Sequence, residues 1–485
     1  MNRRHAWVAA LTLSAAVALL YGMILSAPDF NEDISHIREL SLFGLPFGAF
    51  WDALTSKHYF HWAGERTYQP LVTFLHYWTH GNPAIYRGLG LALHAFNAFL
   101  VFCLGGRLTR RFQPALGAAL LFALFPCSTE TVDVASFKGH LLGFTFMLAA
   151  LLCWIRAVEE SPKKSWLPLV GVYTLFSLGL LAKETGLVSA GFMALYVVCF
   201  EERSLGRAWR MFLGLAPIAA LYLWWRFSCL IPPPISPVKF HYSGLLSMGW
   251  YLKMLLWPHP LCLESSPVGG LGYWLLPIIY IGFLWTRRRN PLHVFCLLWI
   301  LLGLLPVMHF ISFANVSPVA DRYLYISSAG LSLLLSEFLD GPKTRYVLAG
   351  LLLAWGCLTA RRNGLYRQPR QLWEQTAACA PKNPRAHYIL ALTCFRENDI
   401  PAAERAMARV LSMTPSPGAH TFLGDIARDQ GQDGAARSHY RQARALQQNW
   451  DDAYPRQLDY LVKGRTKPSS RPRPSTPKPS ADLAK

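Results

Sequence analysis

HLLGFTFMLAALLCWIRAVEESPKKSWLPLVGVYTLFSLGLLAKETGLVSAGFMALYVVCF, residues 140–200, holds three apolar runs, 140–156, 165–182 and 185–200. Two short polar joints divide them, one carrying Lys163-Lys164 and the other Lys183-Glu184. A helix rises about 1.5 Å per residue, so runs of this size approach the thickness of bilayer hydrocarbon. Backbone exposed to lipid must also satisfy its own hydrogen bonds, which helices do. The stretch therefore predicts an all-α, polytopic membrane helical bundle.

Working outward, a first run covers residues 6–27 behind Met1-Asn2-Arg3-Arg4-His5, and others lie at 84–105, 114–127, 208–230, 270–286, 291–309, 323–339 and 344–360. Together they predict about 11 spans. The first run is too long for a signal-peptide core and has no small-x-small cleavage site, so it reads as an uncleaved span. The loops rich in Lys and Arg, at 107–111, 163–164, 203–210, 287–289 and 343–345, all fall on the side of Arg3 and Arg4. That is the positive-inside pattern. It places the loop 28–83 and the chain beyond 360 on the opposite, non-cytoplasmic side. Within that loop, 40–51 and 71–78 are short and aromatic, as expected of amphipathic helices lying at the interface.

The 485 residues are 53% hydrophobic and 15% charged, with a formal net charge of +19. The basic excess is spread over short loops and a Pro-rich tail, which suits orientation and attraction to membrane lipids rather than nucleic acid. Ten cysteines are scattered, mostly inside apolar runs (Cys103, Cys153, Cys199, Cys296, Cys357), without metal-ligand spacing. They read as small core residues.

From Pro384 the chain repeats with a period of 33: Pro384 matches Pro417, Ala391 matches Gly424 and Ala403 matches Ala436. Helix-pair repeats of the tetratricopeptide type have this period, with small residues where paired helices touch. Asn398-Asp399 and Gly431-Gln432 supply the turns, and residues 371–379 with Trp373 form a preceding, capping helix. The expected domains are thus 1–360 in the membrane, 361–460 as a non-cytoplasmic helical repeat domain, and 464–485 as a disordered basic tail.

On this topology the non-cytoplasmic face receives Glu32, Asp33, Glu130, Lys138, His140, Lys183, Glu184, Glu264, Asp321, Arg322 and Tyr323. Ionisable groups beside lipid are costly and mark function by default. Displacement at a sugar anomeric carbon needs a base for the acceptor proton and, where the leaving group is a phosphate, cations for its charge. No Gly-rich phosphate loop or dinucleotide fingerprint accompanies these groups, so a lipid-borne phosphate donor suits the site better than a soluble nucleotide sugar. Solvated loop acids, snorkelling cations and span caps are the ordinary alternatives for each residue. His94 and Asn97, one turn apart, read as an interhelical hydrogen-bond contact.

The acidic pair after the first span, Tyr68-x-Pro-Leu, Leu93-His94-x-x-Asn97, Leu121-Phe122-Ala123-x-x-Pro126-x-x-x-Glu130-x-Val132, Leu181-Ala182-Lys183-Glu184-x-Gly186, Tyr251-Leu252-Lys253-x-Leu255-Leu256-Trp257-Pro258 and Asp321-Arg322-Tyr323-Leu324-Tyr325 occur in order through most of residues 28–420. In these elements the chain resembles the transmembrane and tetratricopeptide-repeat O-mannosyltransferases, of the GT-C class of membrane glycosyltransferases. It departs from that pattern at Phe125, where the family usually has His, and at Asp321, where it often has Glu. The resemblance implies an inverting transfer of a sugar, mannose first, from a polyprenyl-phosphate donor to a hydroxyl of a protein or glycan acceptor on the extracytoplasmic side. The catalytic base would be Asp33 or Glu32. Arg322, Lys183 and Lys138 would contact the donor phosphate, with Glu130, His140, Glu184, Asp321 and Tyr323 in support. Any divalent cation would fall to Glu32 and Asp33. The expected home is a bacterial inner membrane, with repeats and site facing the periplasm. A non-catalytic membrane-anchored scaffold and an oligosaccharide ligase using a diphosphate lipid carrier stay open as alternatives.

Overall fold

The computed structural model describes residues 3–28, 45–57, 59, 68–79, 82–161, 164–201, 205–230, 244–265, 270–308 and 319–447. Glu32, Asp33 and the tail 464–485 lie outside the described residues. Within them the architecture is helical, with a lone antiparallel bridge between Ser265 and Val319. In chain order the helices are α1 (Arg3–Tyr21), α2 (Phe47–Thr55), α3 (Pro70–Thr79), α4 (Pro83–Thr109), α5 (Phe112–Leu124), α6 (Ser128–Asp133) and α7 (Lys138–Glu159). Next come α8 (Trp166–Ala182), α9 (Val188–Phe200), α10 (Leu205–Leu213), α11 (Leu215–Trp224), α12 (Gly244–Leu256), α13 (Leu271–Arg287) and α14 (Pro291–Leu304). The last group is α15 (Tyr325–Phe338), α16 (Arg345–Tyr366), α17 (Pro369–Cys379), α18 (Pro384–Arg396), α19 (Ile400–Met413), α20 (Pro417–Asp429) and α21 (Asp433–Gln447).

Among the described residues four stretches, Arg3–Ser26, Pro83–Thr109, Ala135–Glu159 and Leu205–Ser228, are long and apolar enough to cross a membrane, and shorter apolar helices cover Phe112–Leu124, Trp166–Ala182, Glu184–Phe200 and Pro291–Val307. The chain is a multi-pass membrane protein. Every apolar run named from the sequence falls on a helix, but length and composition alone qualify four stretches rather than eleven. Several start where a polar cap precedes a proline. The side chain of Asn82 accepts the N–H groups of Ala84 and Ile85, and Asn290 does the same for Leu292 and His293. Each cap satisfies orphan donors, and the proline fills a position whose N–H has no partner.

Basic side chains of the described loops gather at one end of the bundle. Arg107 pairs with Glu159 at 2.7 Å, and Arg111 with both Glu337 and Asp340 at 2.7 Å. Arg207 donates to the Glu160 carbonyl, Arg287 lies over the Phe338 ring, and the His5 ring stacks on Phe112. At the other end Asn363 donates to the Leu20 carbonyl and Arg87 to that of Ile24. In the first loop, where helices are expected at 40–51 and 71–78, α2 and α3 form; their Phe50 and Tyr77 rings stack at 4.0 Å while Phe47, Trp51 and Trp78 remain exposed.

Between the ends, a polar network ties five helices together. Ala123 carbonyl can only accept, so His94 carries its hydrogen on Nε2 toward it, at 3.1 Å, and accepts the Tyr325 hydroxyl on Nδ1, at 2.8 Å. Asn97 donates to the same hydroxyl and to the Leu141 carbonyl, and accepts from Thr145. Tyr21 adds a bond to Ala123. The His94–Asn97 motif is thus an interhelical contact.

Beyond α16 the chain forms tandem helix hairpins. α18 and α20 start 33 residues apart, as do α19 and α21. Asn398 and Gly431, also one period apart, both adopt positive φ at the turns, 66° and 75°. A side chain on Gly424 would meet the Tyr440 ring at 2.8 Å, so the small residue lets α20 and α21 close. Trp373 of α17 is fully buried in the same core.

Candidate functional site

At the end away from the basic loops, α6 faces the short turn 321–324. Ala320 is extended, so the chain enters that turn with the Arg322 backbone N–H aimed at α6, where it donates to Glu130 Oε2 at 2.7 Å. The guanidinium pairs with the other Glu130 oxygen. Glu130 is fully buried, and the Arg322 side chain is 10% exposed. Two charges survive there because each neutralises the other and the carboxylate takes an additional N–H. Burial pushes the Glu130 carboxyl up, against the pull of Arg322 downward. The guanidinium lies 4.4 Å from the Phe137 ring centre and 4.8 Å from that of Tyr323, so aromatic faces flank the cation.

Asp321, one residue earlier, is also buried. Its carboxyl is pushed up to about 8, first by burial and then by the Glu130 charge, with Arg362, the Cys262 N–H and Lys253 acting against the rise. Two buried carboxyls close to one another cannot both hold charge cheaply, and Asp321 is the one that stays neutral in the physiological range.

His140, at the start of α7, lies within electrostatic reach of both Lys183 and Arg322, and its ring centre is 6.0 Å from that of Tyr323. Arg322, Glu130, Asp321, Tyr323, His140 and Lys183 therefore share one end of the bundle. Lys138 is there too but points inward: it is fully buried, and its Nζ donates to the carbonyls of Val132 at 2.6 Å and Val134 at 3.2 Å. Those bonds close the end of α6, a structural task. Glu184 turns away from Lys183, as adjacent residues must, and pairs with Arg226 at 2.8 Å while accepting the Tyr68 N–H at 3.3 Å.

Sequence reasoning missed several groups. Arg226 lies deep inside the run 208–230, well past Arg210 at its start, and the need of such a residue for a partner was the signal that could have nominated Glu184 for it. The reading of the cysteines needs correction: Cys262 and Cys379 form a disulfide, 117 residues apart in sequence, and Cys357 is exposed rather than a core residue. Both bonded cysteines lie outside the apolar runs, which was the available hint. Glu264 holds Asn383 and Arg385 of the hairpin region. Among the described residues no group of three or more His, Cys, Asp or Glu could hold a metal ion.

No family model matches the chain. Among curated proteins it is 23% identical over 427 residues to the protein O-mannosyl-transferase F38B6.6 of Caenorhabditis elegans, an alignment covering 76% of this chain and 56% of that one. It is 25% identical over 463 residues to the human protein O-mannosyl-transferase TMTC4, covering 77% and 61%, and 32% identical over 155 residues to the mouse protein O-mannosyl-transferase TMTC3, covering 31% and 16%. The chain is thus similar to protein O-mannosyl-transferases over about three-quarters of its own length. It spans about three-fifths of the length of these longer relatives at most. Among solved structures it is similar to ArnT from Cupriavidus metallidurans bound to undecaprenyl phosphate, with a TM-score of 0.44, 15% identity, and coverage of 94% of this chain and 88% of that one.

Proposed function

We propose that the protein is a GT-C membrane glycosyltransferase that moves a sugar, mannose first, from a polyprenyl phosphate to a hydroxyl of a protein or glycan acceptor, with inversion at the anomeric carbon. The observation that carries this reading is the buried Glu130–Arg322 pair, flanked by aromatic rings and within reach of His140, at the bundle end away from the basic loops. The similarity to protein O-mannosyl-transferases supports it. A guanidinium fork matches a phosphate, and with one edge held by Glu130 the fork is already oriented before the donor arrives. Arg322, with Lys183 beside His140, neutralises the phosphate as it leaves. Asp33 takes the acceptor proton and Glu32 supports it or helps hold a divalent cation. Lys138 and Glu184 act through the structure, one closing α6 and the other holding Arg226 and the Tyr68 segment. The hairpins of residues 384–447, read as tetratricopeptide-type repeats on the extracytoplasmic side, present the acceptor. A periplasmic face of a bacterial inner membrane is the setting we assign to the site.

Incubating the purified protein with labelled polyprenyl-phosphate mannose, glucose and arabinose, with and without a chelator, tests the proposal. Turnover of the mannose donor supports it. No turnover of any donor would instead favour the scaffold, and turnover of a diphosphate-linked oligosaccharide alone would favour the ligase.

A further inference from the structure

The five residues 261–265, after α12, are tied down at nearly every position. The Leu261 carbonyl accepts from Arg362 on α16 at 2.6 Å and from Gln375 on α17 at 3.0 Å. Cys262 is bonded to Cys379, the last residue of α17, and its backbone N–H faces the Asp321 carboxyl. Glu264, 2% exposed, pairs with Arg385 and accepts from Asn383 at the start of α18. Ser265 bridges to Val319, two residues before Asp321.

These ties are more than a linker needs. α17 already follows α16 with two residues between them, so the hairpins are covalently attached without the loop. A buried carboxylate such as Glu264 is costly unless paired, and it would not be retained merely to repeat an existing connection. What the loop adds is a link from α17 and α18, through the Ser265–Val319 bridge, to the chain that leads into Asp321 and Arg322. Arg322 is then bracketed by two carboxyls: Glu130 holds its N–H and its guanidinium, while Asp321 lies on the loop side, behind the Ser265–Val319 bridge.

We propose that residues 261–265 form a clamp through which the hairpin region fixes the turn that carries Arg322, with Asp321 as the positioning residue that receives it. Acceptor-presenting hairpins and donor contact then move as one body. The clamp rests on the reading of Arg322 as the donor contact, and its mechanical half can be measured without that reading.

The experiment uses the full chain in lipid nanodiscs, untreated, reduced with a phosphine, and as Glu264→Gln with the disulfide intact. Hydrogen exchange is followed by mass spectrometry alongside KM and kcat for polyprenyl-phosphate mannose. The clamp predicts that reduction and E264Q each speed exchange in peptides covering 319–325 by about tenfold. They also raise donor KM by about fivefold with a smaller change in kcat. Asp321→Glu, which keeps a carboxyl facing the Cys262 N–H, retains the donor KM, and Asp321→Ala raises it. Faster exchange confined to 257–265 and 369–383, with 319–325 unmoved, overturns the clamp. So does an unchanged donor KM in the reduced protein. If untreated protein turns over no donor, the assignment of Arg322 falls, and the exchange at 319–325 still decides whether the clamp exists.

Discussion

Arg322 and Glu130 are each tolerable only because the other is present. Glu130→Gln leaves a buried guanidinium facing a neutral amide, and we expect a loss of about 3–5 kcal/mol in stability, read by thermal melts in detergent. Equal melting points for E130Q and wild type would contradict the pairing. Asp321 provides a pH signature. Its folded pKa, near 8, is raised above the ordinary carboxyl value of 3.8. The folded state therefore holds a proton that the unfolded chain releases, and stability from this group, complete below pH 3.8, is lost as pH rises toward 8. Asp321→Asn cannot titrate. Its stability relative to wild type should climb between pH 5 and about pH 8 and then level off. Parallel melting curves across that range would remove the raised pKa from the account.

At the scale of elements, the sequence and the structure agree most where period and capping speak together. The 33-residue repeat placed Asn398 and Gly431 at turns, and both have positive φ. It also matched Gly424 with Ala391, and the close approach of Tyr440 to Gly424 supplies the physical reason for a small residue there. His94 and Asn97 were legible as a contact because a polar pair one turn apart in an apolar run needs partners on another helix. Asn97→Ala removes bonds to Tyr325, Thr145 and the Leu141 carbonyl. Interhelical bonds of this kind average about 0.6 kcal/mol each, so the variant should melt lower while keeping its donor KM. A shifted KM with unchanged melting would make Asn97 part of the site. What the sequence could not convey was pairing at a distance. Glu264 with Arg385, Glu184 with Arg226 and Cys262 with Cys379 join segments whose separation no period or motif encodes. Lys138 shows a related gap, since a Lys beside a span end reads the same in sequence whether or not it caps carbonyls, as its Nζ does those of Val132 and Val134.

For the whole molecule, the decisive feature is the separation of its two charged ends. Arg107, Arg111 and Arg207 meet Glu159, Glu337, Asp340 and the Glu160 carbonyl at one end, while Arg322 and Glu130 lie at the other with the hairpins clamped beside them. Single cysteines in place of the exposed Arg288 and Gln430, in a background without other reactive thiols, should label from opposite sides of sealed vesicles. Labelling from one side would break the topology. The disulfide also fits a hairpin side exposed to an oxidising compartment. The central claim is that this polar end is a site of sugar transfer with Arg322 on the donor phosphate, and the most direct test is the rate of transfer from labelled polyprenyl-phosphate mannose by wild type and by Arg322→Lys at equal folded concentration. The account predicts turnover by wild type and a fall of roughly 10²-fold for R322K, because an ammonium cannot reproduce the oriented fork; equal rates in the two proteins would contradict it.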